Sequence, residues 1–354
     1  MRRVKLAGGL IDVSELCLGS MTWGTQTPED GAFRQIDMAL EHGVDFIDTA
    51  HMYPVNPVKF ETLGRTEEII GNWCASSGRR NEVVIATKHL GEGSAAIPGG
   101  TPRITPETVP EAVEGSLKRL QTDVIDLYQL HWPNRGSYMF RKNWTYDPRS
   151  ESREAVNGEI DDILGALARE VEKGRIRAFG LSNESAWGTA QWLAGAERTG
   201  GPRVATIQNE YSLLCRLFDT DWAELSVMED VPLLAFSPLA TGLLTGKYQD
   251  EAMPDDSRMA VAREKTGSTD LGGRVTPRVF DAVAAYLDIA MRHGLDPAQM
   301  ALAWQLTRPF TCIPIFGATT MDQLEVALGA ADVTLTDEVL DEIDTAHRAH
   351  PMPY

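Results

Sequence analysis

Eight short apolar runs, each followed by a longer stretch of helical periodicity, constrain this chain more than any other feature. The runs are Glu15 to Leu18, Phe46 to Asp48, Val83 to Lys88, Ile125 to Leu130, Ala178 to Ser182, Thr206 to Asn209, Leu233 to Phe236 and Ile313 to Phe316. Between them, segments such as Ala32 to His42, Glu67 to Ser76, Thr108 to Leu120, Ile160 to Lys173 and Ala186 to Arg198 space their apolar residues three and four apart, as one face of a helix does. Continuous apolar strands alternating with helices predict a parallel sheet covered on the outside. Eight such units predict an α/β fold closed into a (β/α)8 TIM barrel, with residues 1–354 forming one domain. The competing arrangement is an open doubly wound sheet, but no glycine-rich dinucleotide fingerprint follows the first run.

Three further features fall outside the alternation. Val4 to Leu6 and Ile11 to Val13, joined by Ala-Gly-Gly-Leu, read as a hairpin that could plug the barrel floor. The segments Thr276 to His293 and Thr336 to His347 read as two extra helices. Two connections, Pro133 to Gly158 and Gly246 to Thr276, exceed ordinary loop length, and such loops are usually lids or disordered segments.

Charge narrows the partners. Thirty-three Lys and Arg stand against 51 Asp and Glu, for a net charge of −18, so phosphate backbones and anionic membranes are repelled on average. No apolar stretch approaches the roughly 20 residues needed to span a bilayer. The four cysteines, Cys17, Cys74, Cys215 and Cys312, form no CxxC pair, which fits a reducing compartment. Asp12 and Glu15 interrupt the apolar run behind the basic start before it reaches signal-peptide length. The expectation is a cytoplasmic protein acting on a small molecule, with no nucleic-acid or membrane partner. The oligomeric state is not legible.

Polar side chains end several of the apolar runs. Asp48 ends GVDFIDTA, Lys88 ends VVIATK, His131 follows VIDLYQL, and Tyr53 lies five residues after Asp48. In a parallel barrel the C-terminal strand ends converge on one face, so these four can meet there. Singly, each has an ordinary structural alternative: a turn residue for Asp48, a snorkelling Lys88, rim packing for Tyr53, a satisfied half-buried imidazole for His131. Jointly they suit carbonyl reduction. A phenol of ordinary pKa about 10 beside an ammonium is drawn toward phenolate and can donate its proton near neutral pH. The aspartate keeps the lysine charged, and the histidine adds a hydrogen-bond donor to the carbonyl oxygen.

The motifs CLGSMTWG, FIDTAHMYP, IATKHL, LQTDVIDLYQLHWP, IRAFGLSN, IQNEYSLL, FSPLATGLLTGKY and GATTMDQL together make the chain resemble the aldo-keto reductase superfamily, in particular its Tas-type bacterial branch. The resemblance runs from the hairpin to near the C-terminus. It implies a barrel that binds NADPH in extended form, with Tyr53 as proton donor, Lys88 and Asp48 tuning it, and His131 orienting the substrate. It also implies that Ser182, Asn183 and Gln208 hold the nicotinamide carboxamide while Tyr211 stacks beneath the ring. An amide side chain, being donor and acceptor at once, matches a carboxamide in both directions. The alternative for Asn183 is a helix cap. Ser237, Leu239, Gly242 and Lys247 would wrap the pyrophosphate, with Arg258 further along the same loop. Gly317, Thr319 and Gln323 would lie at the adenosine 2′-phosphate, where a helix N-terminus favours an anion. There the chain departs from the family: Val326 and Ala327 stand where Glu and Asn usually hold adenine. Tyr53-Pro54 also replaces the commoner Tyr-Gly.

Two motif matches carry nothing. GEGSAA at Gly91 to Ala96 opens no helix, and GLLTGKY is one residue short of a P-loop and lacks its Ser or Thr. The substrate pocket is expected to use Trp23, Trp132 and Trp144, with Met52, His89 and the aromatic loop residues Tyr138, Phe140 and Tyr146 nearby. The same aromatics could instead pin the loop to the barrel. Arg135, Arg141, Lys142, Arg149 and Arg153 make that loop basic; an anionic substrate group is one reading, and a solvated basic loop on an acidic protein is the simpler one. Two other functions were weighed. A metal-dependent barrel hydrolase would use His51, His89, His131 and Asp48, but HxH after the first strand and a carboxylate at the eighth are both missing. A cofactor-binding regulatory subunit, as some relatives are, remains compatible with the same residues.

Overall fold

The computed structural model describes residues 1–93, 97–98, 100–149 and 152–354. Strands β1 (Arg3–Leu6) and β2 (Ile11–Ser14) pair antiparallel as the expected hairpin. The eight runs become β3 (Cys17–Gly19), β4 (Phe46–Asp48), β5 (Val84–His89), β6 (Ile125–Leu130), β7 (Ile176–Ser182), β8 (Val204–Glu210), β9 (Leu233–Phe236) and β10 (Cys312–Phe316). All pair in parallel, in the order β10-β3-β4-β5-β6-β7-β8-β9, and the ring closes between β10 and β3. The first run begins later than expected because the Glu15 carboxylate turns to Arg2, accepting from its backbone N–H at 2.7 Å.

Helices α1 (Glu29–Glu41), α2 (Arg65–Ser77), α3 (Thr108–Leu120), α4 (Arg153–Glu172), α5 (Ala186–Thr199) and α6 (Asp221–Glu229) surround the first strands. They are followed by α7 (Arg258–Thr266), α8 (Val279–Arg292), α9 (Pro297–Gln305), α10 (Met321–Leu328) and α11 (Asp337–Ala349). The two extra helices are α8 and α11, which pack on each other. Helix α4 starts seven residues before the expected Ile160, because the Ser152 hydroxyl accepts the Ala155 N–H and caps it there. The long connection after β6 is correspondingly shorter. A similar cap, Ser257 Oγ on Ala260 N–H, starts α7 inside the stretch read as loop. Helix α9 escaped notice because it is buried almost all round, from Ala298 through Gln305, and so shows no apolar stripe. Its start is nonetheless written in sequence: Asp296 accepts from Ala298 and Gln299 N–H, with Pro297 in the first turn.

Side-chain alternation divides the molecule into two cores. Residues facing out from the strands, such as Ile47, Ile85, Tyr128 and Ile207, pack against the helices. Those facing in, Phe46, Ala86, Leu127, Ala205 and Leu234, fill the barrel together with Leu6, Ile11 and Val13 of the hairpin. The hairpin therefore plugs the floor, and each such fully buried side chain contributes roughly 1.5–3 kcal/mol. Period-two alternation then dictates what lies above: two residues beyond Phe46, Ala86 and Leu127 come Asp48, Lys88 and Gln129, which face inward one layer higher. No helix among the described residues is long and apolar enough to cross a membrane.

Candidate active site

The polar layer is tightly connected. Lys88 Nζ donates to Asp48 Oδ2 at 2.6 Å and to the Thr49 carbonyl at 2.7 Å. The other carboxylate oxygen of Asp48 accepts from Gln129 Nε2 at 3.1 Å and Gln208 Nε2 at 2.8 Å. Burial alone would depress the Lys88 ammonium, but Asp48 and Tyr53 more than offset it and its pKa is raised. The turn after β4, closed by Tyr53 N–H on the Ala50 carbonyl at 2.9 Å, lays the Tyr53 ring over this pair. Lys88 Nζ is 5.1 Å from the ring centroid. His131, just beyond β6, stands edge-on to the same ring at 6.2 Å between centroids. The structure thus brings Asp48, Tyr53, Lys88 and His131 together.

The electrostatics differ in one respect from the sequence reading. Burial pushes the Tyr53 phenol above its ordinary value, and Lys88 only partly opposes that push. The phenol stays protonated instead of being drawn toward phenolate. His131 lies well below the usual imidazole range, through burial first and then the positive Lys88, so its ring is neutral.

Above this layer a groove of about 810 Å³ crosses the mouth of the barrel from Phe140 to α10. Tyr53, His131, Asn183 and Gln208 open onto one part of it, and Ser237, Leu239, Gly242, Lys247, Arg258, Gly317, Thr319 and Gln323 onto the rest. Asn183 is not a helix cap; Ser185 takes that role by accepting the Gly188 N–H at 3.1 Å. The Asn183 amide donates to the His131 carbonyl at 3.0 Å and to Ser182 Oγ at 3.1 Å, while its buried Oδ1 has no partner among the described residues. A carboxamide N–H2 is what that oxygen lacks. Ser182 itself faces away from the groove, donating to the Gln208 carbonyl at 2.9 Å.

After β9 the chain folds back as a strap over the groove. Gly242 sits at φ +94°, and a Cβ there would come within 2.8 Å of Lys247 Cε, so the lysine lies directly across it. Arg258 reaches Met21 Sδ, just beyond β3, at 3.8 Å. No described carboxylate pairs with Arg258 or Lys247. Burial, then the positive Arg274, pushes Arg258 down to about 10, and burial, then Arg258, lowers Lys247. Two cations without counter-ions on one groove fit a phosphate-bearing ligand. At the far end, Thr319 N–H and Oγ1 both meet Gln323 Oε1 at 3.1 Å, while Val326 and Ala327 line the wall. Gly19 and Gly317 approach so closely that a Cβ on Gly317 would lie 3.1 Å from the Gly19 carbonyl oxygen.

Four expected contacts are placed elsewhere. Tyr211 is fully buried behind the barrel wall, stacked on Trp304 at 5.3 Å with its hydroxyl donating to Asp219, and does not reach the groove. Phe236, at the end of β9, occupies the groove wall instead. Trp23 is buried against α1, donating to Gln35 Oε1 at 2.8 Å. Trp132 turns outward to donate to the Glu92 carbonyl at 3.0 Å, its ring tilted 4.9 Å from His131. Trp144 is 64% exposed. Among the described residues of its loop, Phe140 and Arg141 line the groove. Gln129, overlooked in sequence, was signalled by its parity with His131; Phe236 was signalled by its place at a strand end. Arg141 was one of five basic loop residues that sequence could not tell apart, and nothing in sequence marked Arg274 as a groove residue. The glycine-rich Gly91 to Ala96 segment lies partly outside the described residues.

Among the described residues no group of three His, Cys, Asp or Glu is placed to hold a metal ion. Residues 15–348 match the model of the Aldo/keto reductase family. The chain is 44% identical to Protein tas of Escherichia coli over 348 residues, 97% of this chain and 96% of that protein. It is 34% identical to the uncharacterized oxidoreductase YrpG of Bacillus subtilis, over 93% of this chain and 90% of that one. To a probable voltage-gated potassium channel subunit beta of Arabidopsis thaliana it is 32% identical, over 96% and 95%.

Proposed function

The chain belongs to the aldo/keto reductase family, and from that premise we propose that it reduces an aldehyde or ketone to the alcohol with NADPH as hydride source. The observation that carries this reading is the Tyr53 ring held over the buried Lys88–Asp48 pair and beside neutral His131, at the mouth of a groove that also displays Asn183, Lys247 and Arg258. When bound, the reduced nicotinamide supplies hydride to the carbonyl carbon. The Tyr53 hydroxyl delivers the proton to the carbonyl oxygen as charge builds there, and the Lys88 ammonium stabilises the phenolate left behind. Asp48, its oxygens occupied by Lys88, Gln129 and Gln208, keeps that ammonium fixed. His131 Nδ1 is buried with no partner among the described residues, so placing the proton of the neutral ring on Nε2 avoids an unsatisfied buried donor and leaves Nε2–H for the carbonyl oxygen.

Asn183 Oδ1 would accept from the carboxamide, and Phe236 offers the aromatic face against the ring. Lys247 and Arg258 would meet the phosphates, which supports NADPH over NADH because the 2′-phosphate adds further negative charge. Oxidation of NADPH by a panel of carbonyl compounds, followed by absorbance loss, tests the reading. Tight NADPH binding without turnover on any carbonyl would favour instead a cofactor-binding regulatory subunit, in keeping with the similarity to a probable channel subunit beta.

A further inference from the structure

The basic residues of the loop after β6 go to different destinations. Arg135 is bound to Glu184, and Arg149 lies exposed beside Asp147. Arg141 turns inward onto the groove wall. There it meets Glu210, the last residue of β8, at 2.8 Å. Glu210 is already held by Arg274 at 2.8 Å and by the Tyr354 hydroxyl at 3.2 Å. One carboxylate therefore faces two guanidiniums, with the Glu210 and Arg274 side chains each 6% exposed and Arg141 20%. Uncompensated positive charge in so enclosed a place is costly unless an anion meets it.

The Arg141 guanidinium has donors to spare. Nη1 goes to Glu210, whereas Nε is buried with no acceptor among the described residues. The edge formed by Nε and Nη2 has the geometry that carboxylates take bidentately. Gly272 and Gly273, both at positive φ, lie beside the guanidinium; Cβ atoms there would be in ordinary contact, 3.4 Å from Nη2 and 3.5 Å from Nε.

Arg141 belongs to a different loop from the cations of the cofactor end, although Arg258 feels its charge and that of Arg274, which also reaches Ser237 Oγ at 3.4 Å. Lys247 and Arg258 belong to the strap after β9, and Gly317 to Gln323 follow β10. Arg141 hangs from the loop that begins at His131 and is anchored on β8. Its neighbour Phe140 stands edge-on to Trp132 at 6.1 Å, and Trp132 lies against His131. The cation therefore sits on the proton-donor side of the groove. We propose that the carbonyl substrate of this protein bears a carboxylate, and that Arg141 receives it. This specificity rests on the carbonyl-reductase reading above and says which carbonyl compounds the groove selects.

Matched pairs of aldehyde acids and their methyl esters, para-formylbenzoate and its ester among them, test it with NADPH. The wild type is expected to favour the acids, and Arg141→Met to lower the acid-to-ester ratio of kcat/KM by about tenfold to 100-fold, mainly through KM. Arg141→Lys, which keeps the charge but loses the fork, should fall between. Equal wild-type rates on acids and esters overturn the inference while leaving carbonyl reduction intact, and need no variant that must fold. So does an acid-to-ester ratio that survives in Arg141→Met, or an equal loss on both, or a matching loss of NADPH affinity. No turnover on any pair would overturn the carbonyl-reductase reading and the inference with it.

Discussion

Lys88 and Asp48 meet at 2.6 Å on neighbouring strands with side chains 0% and 3% exposed, so neither charge has water to fall back on. The pair is a structural commitment as well as a tuning device. Removing one partner strands the other, which costs about 3–5 kcal/mol in buried pairs. Lys88→Met should lower stability by that order, and adding Asp48→Asn should restore part of it. Urea unfolding of the single and double variants measures this. Additive losses would show that the two charges are not coupled.

Tyr53→Phe should reduce carbonyl turnover at least 100-fold while NADPH still binds, because general acid catalysis contributes about 10²- to 10⁴-fold. Since burial holds the phenol above its ordinary 10.0, reduction should show no loss from phenol ionisation below that pH. A falling limb centred near neutrality that vanishes in Tyr53→Phe would contradict the placement.

Four histidines make stability pH-dependent. His131, His51 and His347 are depressed below 6.5, each by burial first, and burial takes His89 down to about 4. Below pH 6.5 the unfolded chain binds protons that the folded state refuses. Stability is thus full above that pH and falls as pH drops toward the folded values, by about 1.4 kcal/mol per unit for each fully refusing histidine. Denaturant midpoints at pH 7.5, 6.0 and 5.0 should show the decline, and His89→Asn should flatten it.

Arg258 opposes stability and binding to one another. It is a partly buried cation, pushed down to about 10, that forms no ion pair with a carboxylate among the described residues. Arg258→Met should leave the cofactor-free protein as stable or more so, yet weaken NADPH more than NADH. Fluorescence titrations of both forms with both cofactors decide it. Equal losses would assign the arginine to the shared pyrophosphate, and a wild type preferring NADH would remove the 2′-phosphate role.

The loop after β6 reaches the groove through Phe140 and not through Trp144, which is 64% exposed. Trp144→Ala should leave KM for bulky carbonyls unaltered. Phe140→Ala should raise it by about tenfold, as pocket contacts of that size are worth roughly 1–3 kcal/mol.

Local pattern was enough for much of this protein. The eight apolar runs and their intervening helical spacing determined the closed barrel, because strands and helices are each stabilised by periodicities of a few residues that sequence displays directly. The hairpin plug, the two extra helices and the meeting of Asp48, Tyr53, Lys88 and His131 followed, since parallel strands place all their C-terminal ends on one face. Helix α9 did not show itself because burial on every side erases the stripe on which such a reading depends.

Only the tertiary structure decided which way side chains near those strand ends turn. Trp23, Trp132 and Tyr211 sit beside site residues in sequence, yet neighbouring positions on a strand or turn face opposite directions, and all three pack away from the groove. Phe236 takes the wall that Tyr211 was expected to supply. Sequence pointed the wrong way on the protonation of Tyr53: the expected pull of Lys88 toward phenolate is outweighed by burial, which depends on neighbours drawn from the whole chain. The Arg141–Glu210–Arg274 cluster joins residues 64 and 69 positions apart, and no periodicity links them. Their meeting is a product of loop closure, which local propensity does not encode.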